Sequence, residues 1–429
     1  MIFKNISILN ENFQLEENMY VGIKNDKIDY IGKENPQGDY GESYDGKGKL
    51  LMSGFYNSHA HSPMTLLRGY GENLALQDWL NQRIFPFEAK LDGNAVYWGT
   101  MLAMAESLRY GIVSTTDMYY FCEDMVKAID ESGAKNNLGR GVTNFSDASL
   151  YDLESFSEMK ALYENYHNAA NGRIKVDMSL HAEYTSNPKT VYQMAEYTKS
   201  IGANMHVHVS ETKLEHEECK KRQEGLTPIQ YLNRLGVLDN KTTAAHCVWV
   251  EPEDMDIIKQ KEVTVASNPI SNLKLSSGVC NVPELLRRGI NVAIGTDSVS
   301  SNNSLNFIEE MKVFAISSKE KYQDPTAVTP VETLTAATIA GAKGQGRENC
   351  GKLAVGYKAD LIVLDIMRPN FIPVHQMVNN IVYSACGGDI ILTMVDGKVL
   401  YKNGDYMTID IERTIFETNH ATQKILAML

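Results

Sequence analysis

Short β-branched runs recur along the chain at intervals that leave room for one helix between each run and the next. Eight such runs lie at 50–61, 111–118, 137–145, 174–183, 203–211, 242–248, 263–269 and 291–298. Helical patterns separate them, for example AVYWGTMLAMAESLRYG (95–111) and PKTVYQMAEYTKSIG (188–202). Strand–helix alternation repeated eight times over about 250 residues is typical of a closed parallel barrel. The predicted fold class is therefore α/β, with a (β/α)8 TIM-type barrel.

The two ends of the chain show a different pattern, with short strands and tight turns. VGIKNDKIDYIGK (21–33) alternates apolar and polar residues around an Asn-Asp turn. MVDGKVLYKNGDY (394–406) contains Asp-Gly and Asn-Gly turns between alternating segments. We predict that both ends build one small β-sandwich domain, residues 1–53 plus 355–429. The barrel, residues 54–354, is then inserted between them.

Composition argues against several classes of protein. A net charge of −13 disfavours a polyanionic partner such as nucleic acid. The N-terminal MIFKNISILN lacks the apolar block of a signal peptide, and the sequence has no run of about 18 apolar residues that would predict a membrane span. The six cysteines are scattered without a Cys-x-x-Cys pair, which fits a reducing compartment. We therefore expect a cytoplasmic protein.

Half of the ten histidines lie at the ends of predicted strands, and an aspartate ends the eighth strand. These residues are His59, His61, His181, His208, His246 and Asp297. The carboxyl ends of barrel strands converge on one mouth, where sites are built. Imidazole and carboxylate ligands suit zinc and leave an open coordination position. The predicted ligands of one divalent metal ion are His59, His61, His208 and Asp297. Zn²⁺ is the expected ion, with Fe²⁺ and Mn²⁺ as alternatives.

The same pattern leaves alternatives open. His-x-His alone also suits two surface histidines in a turn, and Asp297 in GTDS also suits a turn-capping role. His206 is a rival ligand on strand five, but its deeper position is more typical of a packed core histidine. Glu183 is a candidate for a second metal site. SLHAEYT (179–185) contains no lysine that would bridge two metal ions, so one metal is the simpler interpretation.

Two further residues at the barrel mouth suit acid–base chemistry. Glu211 follows His208 by three residues, where a carboxylate can take a proton from water and deliver it to a substrate. The alternative for Glu211 is a carboxylate at a helix start, near the positive end of the dipole. His246 suits orientation of the attacking water or polarisation of the attacked centre, and its alternative is a buried barrel histidine. Asp297 is also expected to take part in catalysis.

Five segments carry a family resemblance. They are SGFYNSHAHSPMTLLRG (53–69), HVSET (208–212), AAHCV (244–248), SNPISNLKL (267–275) and GTDSVSSNNS (295–304). Together they resemble the amidohydrolase superfamily, and within it the 5-methylthioadenosine/S-adenosylhomocysteine deaminases, close to the chlorohydrolase-type (ATZ/TRZ-like) enzymes. The resemblance reaches at least residue 410. It implies the same four metal ligands, Glu211 as the proton shuttle and His246 as the histidine that orients water.

The expected substrate contacts are Glu211 and Asp297, described above, and three further residues that the resemblance implies. WLNQRIFPFEAKL (79–91) resembles the family segment in which Glu88 would hold the ribose diol, since a carboxylate accepts from both hydroxyls. His181 matches a histidine that contacts the nucleoside, although Glu183 replaces the usual Pro or Ser nearby. Arg140, in GRGV, matches the first of two arginines that bind the substrate tail. The second arginine is missing from SDASLYDLESF (146–156).

The resemblance implies a metal-dependent aminohydrolase that removes the 6-amino group of an adenosine-type nucleoside as ammonia. The expected substrates are 5′-methylthioadenosine, S-adenosylhomocysteine, 5′-deoxyadenosine and adenosine. One alternative is another amidohydrolase that acts on guanine, cytosine, a pterin or a triazine. A more remote alternative is a non-catalytic binding protein on the same fold. The expected partner is a small molecule, with no nucleic acid and no membrane, and the chain is expected to form a homo-oligomer.

Overall fold

The computed structural model describes residues 1–74 and 76–429. These residues form 18 β-strands in two sheets. The strands are β1 (Ile2–Leu9), β2 (Leu15–Lys24), β3 (Lys27–Gly32), β4 (Ser43–Asp45), β5 (Lys49–Ser53), β6 (Phe55–Ala60), β7 (Ile112–Tyr119), β8 (Lys135–Val142), β9 (Ile174–Val176), β10 (Met178–Ala182), β11 (Met205–Val209), β12 (Thr242–His246), β13 (Thr264–Ser267), β14 (Asn291–Ile294), β15 (Leu361–Asp365), β16 (Ile390–Val395), β17 (Lys398–Lys402) and β18 (Asp405–Tyr406).

Most of the α-helices alternate with the strands of the second sheet. They are α1 (Leu76–Trp79), α2 (Phe85–Glu88), α3 (Gly93–Arg109), α4 (Cys122–Ser132), α5 (Glu154–Tyr166), α6 (Ala169–Gly172), α7 (Pro188–Ile201), α8 (Lys213–Arg222), α9 (Pro228–Arg234), α10 (Pro252–Gln260), α11 (Pro269–Lys274), α12 (Val282–Arg287), α13 (Phe307–Tyr322), α14 (Pro330–Ala337), α15 (Ile339–Gly344), α16 (Met377–Tyr383) and α17 (Ile411–Leu426). A π-helical stretch, Leu80–Ile84, joins α1 to α2.

The first sheet takes its strands from both ends of the chain, as predicted. Its strand order is β18-β17-β16-β15-β5-β1-β2-β3, with β4 paired to β1. The two chain ends meet where β5 and β15 pair antiparallel. The predicted two-residue turns lie at 25–26, 396–397 and 403–404. The exact domain boundaries, at 53/54 and 354/355, stay a prediction.

The second sheet is parallel and confirms the predicted TIM-type barrel. Its order is β14-β13-β12-β11-β10-β8-β7-β6, with β9 paired to β8. The barrel closes where Ala60 bridges Asp297, and the Asp297 N–H donates to the His59 carbonyl at 2.9 Å. Closure therefore brings the end of β6 and the loop after β14 together at the carboxyl end of the barrel.

The fourth barrel strand is split in two, whereas the sequence predicts one run over 174–183. The break falls at Asp177, between β9 and β10. The buried carboxylate of Asp177 accepts from Asn137 Nδ2 at 3.0 Å. The backbone N–H of Asp177 donates to the Leu138 carbonyl at 3.0 Å. These bonds to β8 satisfy the polar groups of the buried residue at the break.

A buried ion pair connects the two sheets at the opposite end of the barrel. Lys135, the first residue of β8, contacts Asp360 and lies 2.8 Å from Asp396. Asp360 directly precedes β15 of the first sheet, and Asp396 lies in the turn between β16 and β17. The hydroxyl of Tyr56 in β6 donates to Asp360 at 2.7 Å. The C-terminal helix α17 packs on α3 of the barrel, where the Thr418 hydroxyl donates to the Trp98 carbonyl. Removal of one charge from the buried pair would leave the other uncompensated.

Local sequence sets the limits of the barrel helices, as α7 illustrates. Asn187 caps its start by accepting from the Thr190 N–H at 2.8 Å, and Pro188 occupies the first helical position. Gly202 ends the helix with φ at 64°, a conformation that glycine adopts without a steric penalty. Among residues 1–74 and 76–429, no helix combines the length and apolar character needed to cross a membrane.

Candidate active site

The four predicted metal ligands converge at the carboxyl end of the barrel. Two trios of side chains each place their potential ligand atoms within 4.8 Å of one another. The trios are His59, His61 and His208, and His59, His246 and Asp297. Asp297 Oδ1 lies 3.4 Å from His59 Nε2 and 3.3 Å from His61 Nε2. These residues form a candidate site for a divalent metal ion.

The hydrogen bonds of two histidines determine which ring nitrogens face this site. His61 Nδ1 lies 2.7 Å from the Met118 carbonyl, and His208 Nδ1 lies 2.6 Å from the His181 carbonyl. Because a carbonyl only accepts, each Nδ1 carries a hydrogen, so each Nε2 has a lone pair when its ring is neutral. Burial alone would lower the pKa of His61, but the contact with Asp297 raises it to about 9, and metal binding displaces that proton. The two Nε2 atoms lie 3.3 Å apart. Two lone pairs at that distance repel unless a cation lies between them, so the donor set fits a metal ion.

The third histidine, His59, contacts another histidine that lies deeper in the barrel. Its Nδ1 lies 2.9 Å from His206 Nε2, while its own buried Nε2 has no hydrogen-bond partner among the described residues. Burial lowers the pKa of His59 to about 3, so the ring stays neutral, as metal ligation requires. His206 lies outside both trios and contacts His59 from behind. This placement agrees with the prediction that His206 is a packed core residue.

Asp297 uses its two carboxylate oxygens differently. Oδ2 accepts from the hydroxyls of Ser271, at 2.6 Å, and Ser301, at 3.0 Å. Oδ1 faces His59 and His61. Burial alone would raise the pKa of Asp297, but its contacts with these two histidines hold that pKa well below the usual range. The carboxylate is therefore ionised, with Oδ1 directed at the candidate metal site.

Glu211 and His246 lie beside the ligand cluster and close to each other. His246 Nε2 is 3.8 Å from Glu211 Oε2. His246 Nδ1 lies 2.8 Å from Asn272 Oδ1 and 3.2 Å from Asn268 Nδ2. The shorter contact, with an oxygen that only accepts, favours a hydrogen on Nδ1 and a lone pair on Nε2 facing the site. The Ser277 hydroxyl donates to Glu211 Oε1 at 3.4 Å, and burial raises the pKa of Glu211. A raised carboxyl pKa favours a group that both accepts and returns a proton.

Left-handed backbone conformations recur at this end of the barrel. Ser210, His246 and Asp297 follow or end β11, β12 and β14, and their φ angles are 48°, 74° and 59°. Such conformations cost about 1–3 kcal/mol each in residues other than glycine and concentrate at functional sites. Aspartate and histidine adopt this conformation more readily than most residues with a Cβ atom, whereas Ser210 depends on the hydrogen bonds of its neighbours.

A cavity opens directly above the ligand cluster. Its walls are largely apolar and aromatic, and they include Met64, Trp79, Leu80, Ile84, Phe85, Met118, Tyr119, Tyr120 and Leu275. Polar groups line its floor and one side, namely His61, Glu88, His181, His208, Glu211, His246 and Asp297. Among the described residues, no lysine or arginine lines this cavity. A mostly apolar cleft with a few convergent polar groups is typical of a small-molecule site.

Four of the five predicted substrate contacts, Glu88, His181, Glu211 and Asp297, line this cavity, and Arg140 does not. Burial raises the pKa of Glu88 to about 7 and lowers the pKa of His181 to about 4. Arg140 instead donates to Glu158 Oε2 at 2.6 Å, and its guanidinium lies 4.9 Å from the ring centroid of Tyr120. The role of Arg140 in substrate binding therefore stays a prediction.

Glu183, the candidate for a second metal site, has a different partner. Its buried carboxylate forms an ion pair with Arg222 of α8. It belongs to neither of the potential metal-binding trios found among the described residues. The geometry therefore favours one metal site in this barrel.

Several supporting residues had no role assigned from the sequence. Asn272 and Ser271 lie in SNPISNLKL and Ser301 lies in GTDSVSSNNS, segments that identified only the family. In the structure Asn272 orients His246, and the two serines hold Asp297. The family motifs contain these three residues, so the sequence could mark them as candidates. The partner of each side chain depends on how the loops after β13 and β14 meet.

Comparisons with known proteins agree with this geometry. The model of the Amidohydrolase family matches residues 50–400. A 5-methylthioadenosine/S-adenosylhomocysteine deaminase of Thermoanaerobacter pseudethanolicus is 38% identical over 99% of each chain. A 5′-deoxyadenosine deaminase of Methanosphaera stadtmanae is 37% identical, again over 99% of each chain.

A solved structure shows the same likeness. The crystal structure of a zinc-bound adenosine deaminase from Xanthomonas campestris superimposes with a TM-score of 0.93 at 27% identity. The match covers 99% of this chain and 98% of that one. The family model matches residues 50–400, and these two relatives, which align over almost the whole chain, are 38% and 37% identical to it. This chain therefore belongs to the amidohydrolase family.

Proposed function

We propose that this protein is a metal-dependent aminohydrolase that replaces the 6-amino group of an adenosine-type nucleoside with oxygen and releases ammonia. The observation that carries this proposal is the convergence of three imidazoles and one carboxylate next to a cavity that Glu211 also lines. The deaminase names of its full-length relatives support the reaction class and the substrate class.

The metal in this proposal is one divalent ion, Zn²⁺, held by His59, His61, His208 and Asp297. A bound zinc ion lowers the pKa of water and so supplies a nucleophile near neutral pH. The histidines suit this role because their free Nε2 lone pairs face the site. Asp297 suits it because its second oxygen is occupied by two serine hydroxyls.

The proton transfers in this proposal belong to Glu211. As the water oxygen bonds to the ring carbon, the Glu211 carboxylate takes one proton from the water and delivers it to a ring nitrogen. The second proton of the water then passes to the 6-amino group, so that the carbon–nitrogen bond breaks, ammonia leaves and the oxygen stays as a carbonyl. His246, with its Nε2 lone pair 3.8 Å from Glu211 Oε2, orients the water by accepting a hydrogen bond. Both side chains line the cavity floor beside the ligand cluster, which is where a reacting ring carbon would lie.

The cavity walls provide contacts for the rest of a nucleoside. Aromatic and aliphatic side chains, including Trp79 and Tyr119, offer flat apolar surface to a purine ring. Glu88 is proposed to accept from the two ribose hydroxyls, and His181 to contact the nucleoside base.

A substrate screen tests the substrate class. Purified protein is assayed for ammonia release from purine nucleosides, guanine, cytosine, pterins and triazines. Release from a non-nucleoside ring alone would overturn the adenosine proposal.

We expect the active protein to contain about one catalytic metal ion per chain. The reason is one complete ligand set, together with the pairing of Glu183 to Arg222. The measurement is elemental analysis of active protein, normalised to quantitative amino-acid analysis. Two tightly bound ions per chain would contradict the one-metal proposal.

The lining of the cavity also leads to an expectation about the 5′ group of the substrate. A carboxylate that loses water without gaining a cation costs several kcal/mol, and no lysine or arginine of the described chain lines the cavity. Arg140 is already paired with Glu158. We therefore expect kcat/KM for 5′-methylthioadenosine, 5′-deoxyadenosine or adenosine to exceed that for S-adenosylhomocysteine about tenfold, the equivalent of roughly 1.4 kcal/mol.

Side-by-side kinetics on these four nucleosides measure the preference, and Arg140→Gln supplies the control. If Arg140 stays with Glu158, the variant changes all four values of kcat/KM by a similar factor. A selective loss with S-adenosylhomocysteine would show that Arg140 does reach the carboxylate. A clear preference of the wild-type protein for S-adenosylhomocysteine would show that another cation, from a loop or a neighbouring subunit, completes the site.

We also propose that the protein is cytoplasmic and forms a homo-oligomer. The scattered cysteines support a reducing compartment. Size-exclusion chromatography with light scattering tests the oligomeric state directly, and a monomer at micromolar concentration would contradict it.

A further inference from the structure

Glu215, in the first turn of α8, forms hydrogen bonds that reach back past the start of its own helix. Its Oε1 accepts from the backbone N–H of Ser210 at 2.8 Å, and its Oε2 accepts from the backbone N–H of Glu211 at 2.7 Å. Each carboxylate oxygen therefore binds one of two consecutive backbone amides. The second amide belongs to the residue to which we assign proton transfer.

The residue before Glu211 is held from several sides. Ser210 has a left-handed backbone, with φ at 48°. Its carbonyl accepts from the N–H groups of Val248 and Trp249, both at 3.1 Å, and its hydroxyl lies 3.3 Å from His216 Nδ1. A left-handed serine persists only where the surroundings determine it, so these contacts set the direction in which the chain leaves β11.

Ordinary helix capping does not account for Glu215. The cap of α8 is Thr212, whose hydroxyl accepts from the Glu215 N–H at 3.1 Å. In a capping box the glutamate side chain would return to the N–H of the cap residue itself. Here the carboxylate passes Thr212 and binds the two residues before it. Its contacts therefore serve the turn that carries Glu211, whereas Thr212 serves the helix.

We propose that Glu215 is a positioning residue that fixes the Glu211 backbone, and through it the carboxylate that transfers the proton. The inference rests on the proposed role of Glu211. Each carboxyl oxygen of Glu215 accepts from one of the two backbone N–H groups, so loss of one acceptor leaves a donor unpaired and gives the turn freedom to rotate. A small displacement of a proton-transfer group lowers turnover while the metal ligands and the cavity walls stay in place.

The test is a double-mutant cycle between positions 215 and 211, read out by ammonia release. Glu215→Gln keeps the shape of the side chain but replaces one acceptor oxygen by an NH₂ group that faces an N–H donor. We expect kcat to fall about tenfold or more, as for other residues that orient catalytic groups, with KM within about twofold and metal content unchanged. In a Glu211→Gln background the same change should alter the residual kcat less than about twofold.

Thr212→Ala is the matched control, because it removes the cap of the same helix and leaves the amides of residues 210 and 211 paired. It should lower Tm while kcat stays within about twofold. The inference is overturned if Thr212→Ala reproduces the loss of kcat, or if Glu215→Gln is equally harmful in both backgrounds. It is also overturned if Glu215→Gln has full kcat.

Two outcomes separate this inference from the proposed function. An almost fully active Glu211→Gln protein removes the role of Glu211 itself. An inactive Glu211→Gln protein together with a fully active Glu215→Gln protein overturns only the positioning role. If Glu215→Gln does not fold, Glu215→Asp takes its place, because it keeps both acceptor oxygens on a shorter side chain and should show the same dependence on the Glu211 background.

Discussion

Replacement of Glu211 by glutamine is expected to lower kcat by a hundredfold or more while the protein retains its metal. The amide keeps the size of the side chain and the contact with Ser277, but it can neither accept nor return a proton. The four proposed metal ligands are untouched, so zinc content should match that of the wild-type protein. The measurement combines the rate of ammonia release with elemental analysis of the same sample.

Glu217→Gln is the matched control for this experiment. Glu217 lies on α8, the helix that begins two residues after Glu211, and Glu217 is exposed. The control should have wild-type kcat, since loss of an exposed charge rarely changes stability or geometry. A Glu211→Gln protein that turns over at a near wild-type rate would show that Glu211 is a structural carboxylate and that another group transfers the proton.

Removal of the metal is expected to lower turnover about a thousandfold or more, because Lewis-acid activation of water contributes several kcal/mol to the stabilisation of the transition state. Treatment with a chelator followed by dialysis should abolish ammonia release, and addition of Zn²⁺ should restore it. Recovery of activity on addition of Zn²⁺ requires that the fold survives the treatment. Circular dichroism before and after chelation checks this point.

A ligand variant makes the same experiment specific to the site. His61→Ala removes one of the two facing Nε2 lone pairs and should lose both zinc and activity, with no recovery on addition of Zn²⁺. His420→Ala, at an exposed position on α17, is the matched histidine control and should keep both. Full activity of the chelated protein, or of the His61→Ala protein, would contradict a metal-dependent reaction.

The barrel itself could be predicted from the sequence because strand and helix periodicity is local. Each β-branched run and each helical pattern is visible within about ten to fifteen residues, and eightfold alternation leaves few other topologies. The meeting of His59, His61, His208 and Asp297 follows from the same reasoning. In a parallel barrel, residues far apart in sequence but at equivalent strand ends must come together.

The assignment of individual partners was beyond sequence reasoning. Arg140 carries the family pattern of a tail-binding residue, yet its guanidinium binds Glu158 on α5 and packs against Tyr120. The sequence left Glu183 as a candidate ligand for a second metal ion, whereas in the structure Arg222 of α8 forms an ion pair with it. Both results depend on which helix packs behind a given strand, and that packing is a property of the assembled layers.

The sequence by itself determined the barrel, the small sheet made from both chain ends, and the set of side chains available at the barrel mouth, because these depend on periodicity and on strand-end position. Only the tertiary structure decided which nitrogen of His61 and His208 faces the site, since that depends on the carbonyls of Met118 and His181. It also decided that Glu215 binds the amides before its helix. Hydrogen bonds of this kind are set by ångström-scale loop geometry, which no local pattern of residues encodes.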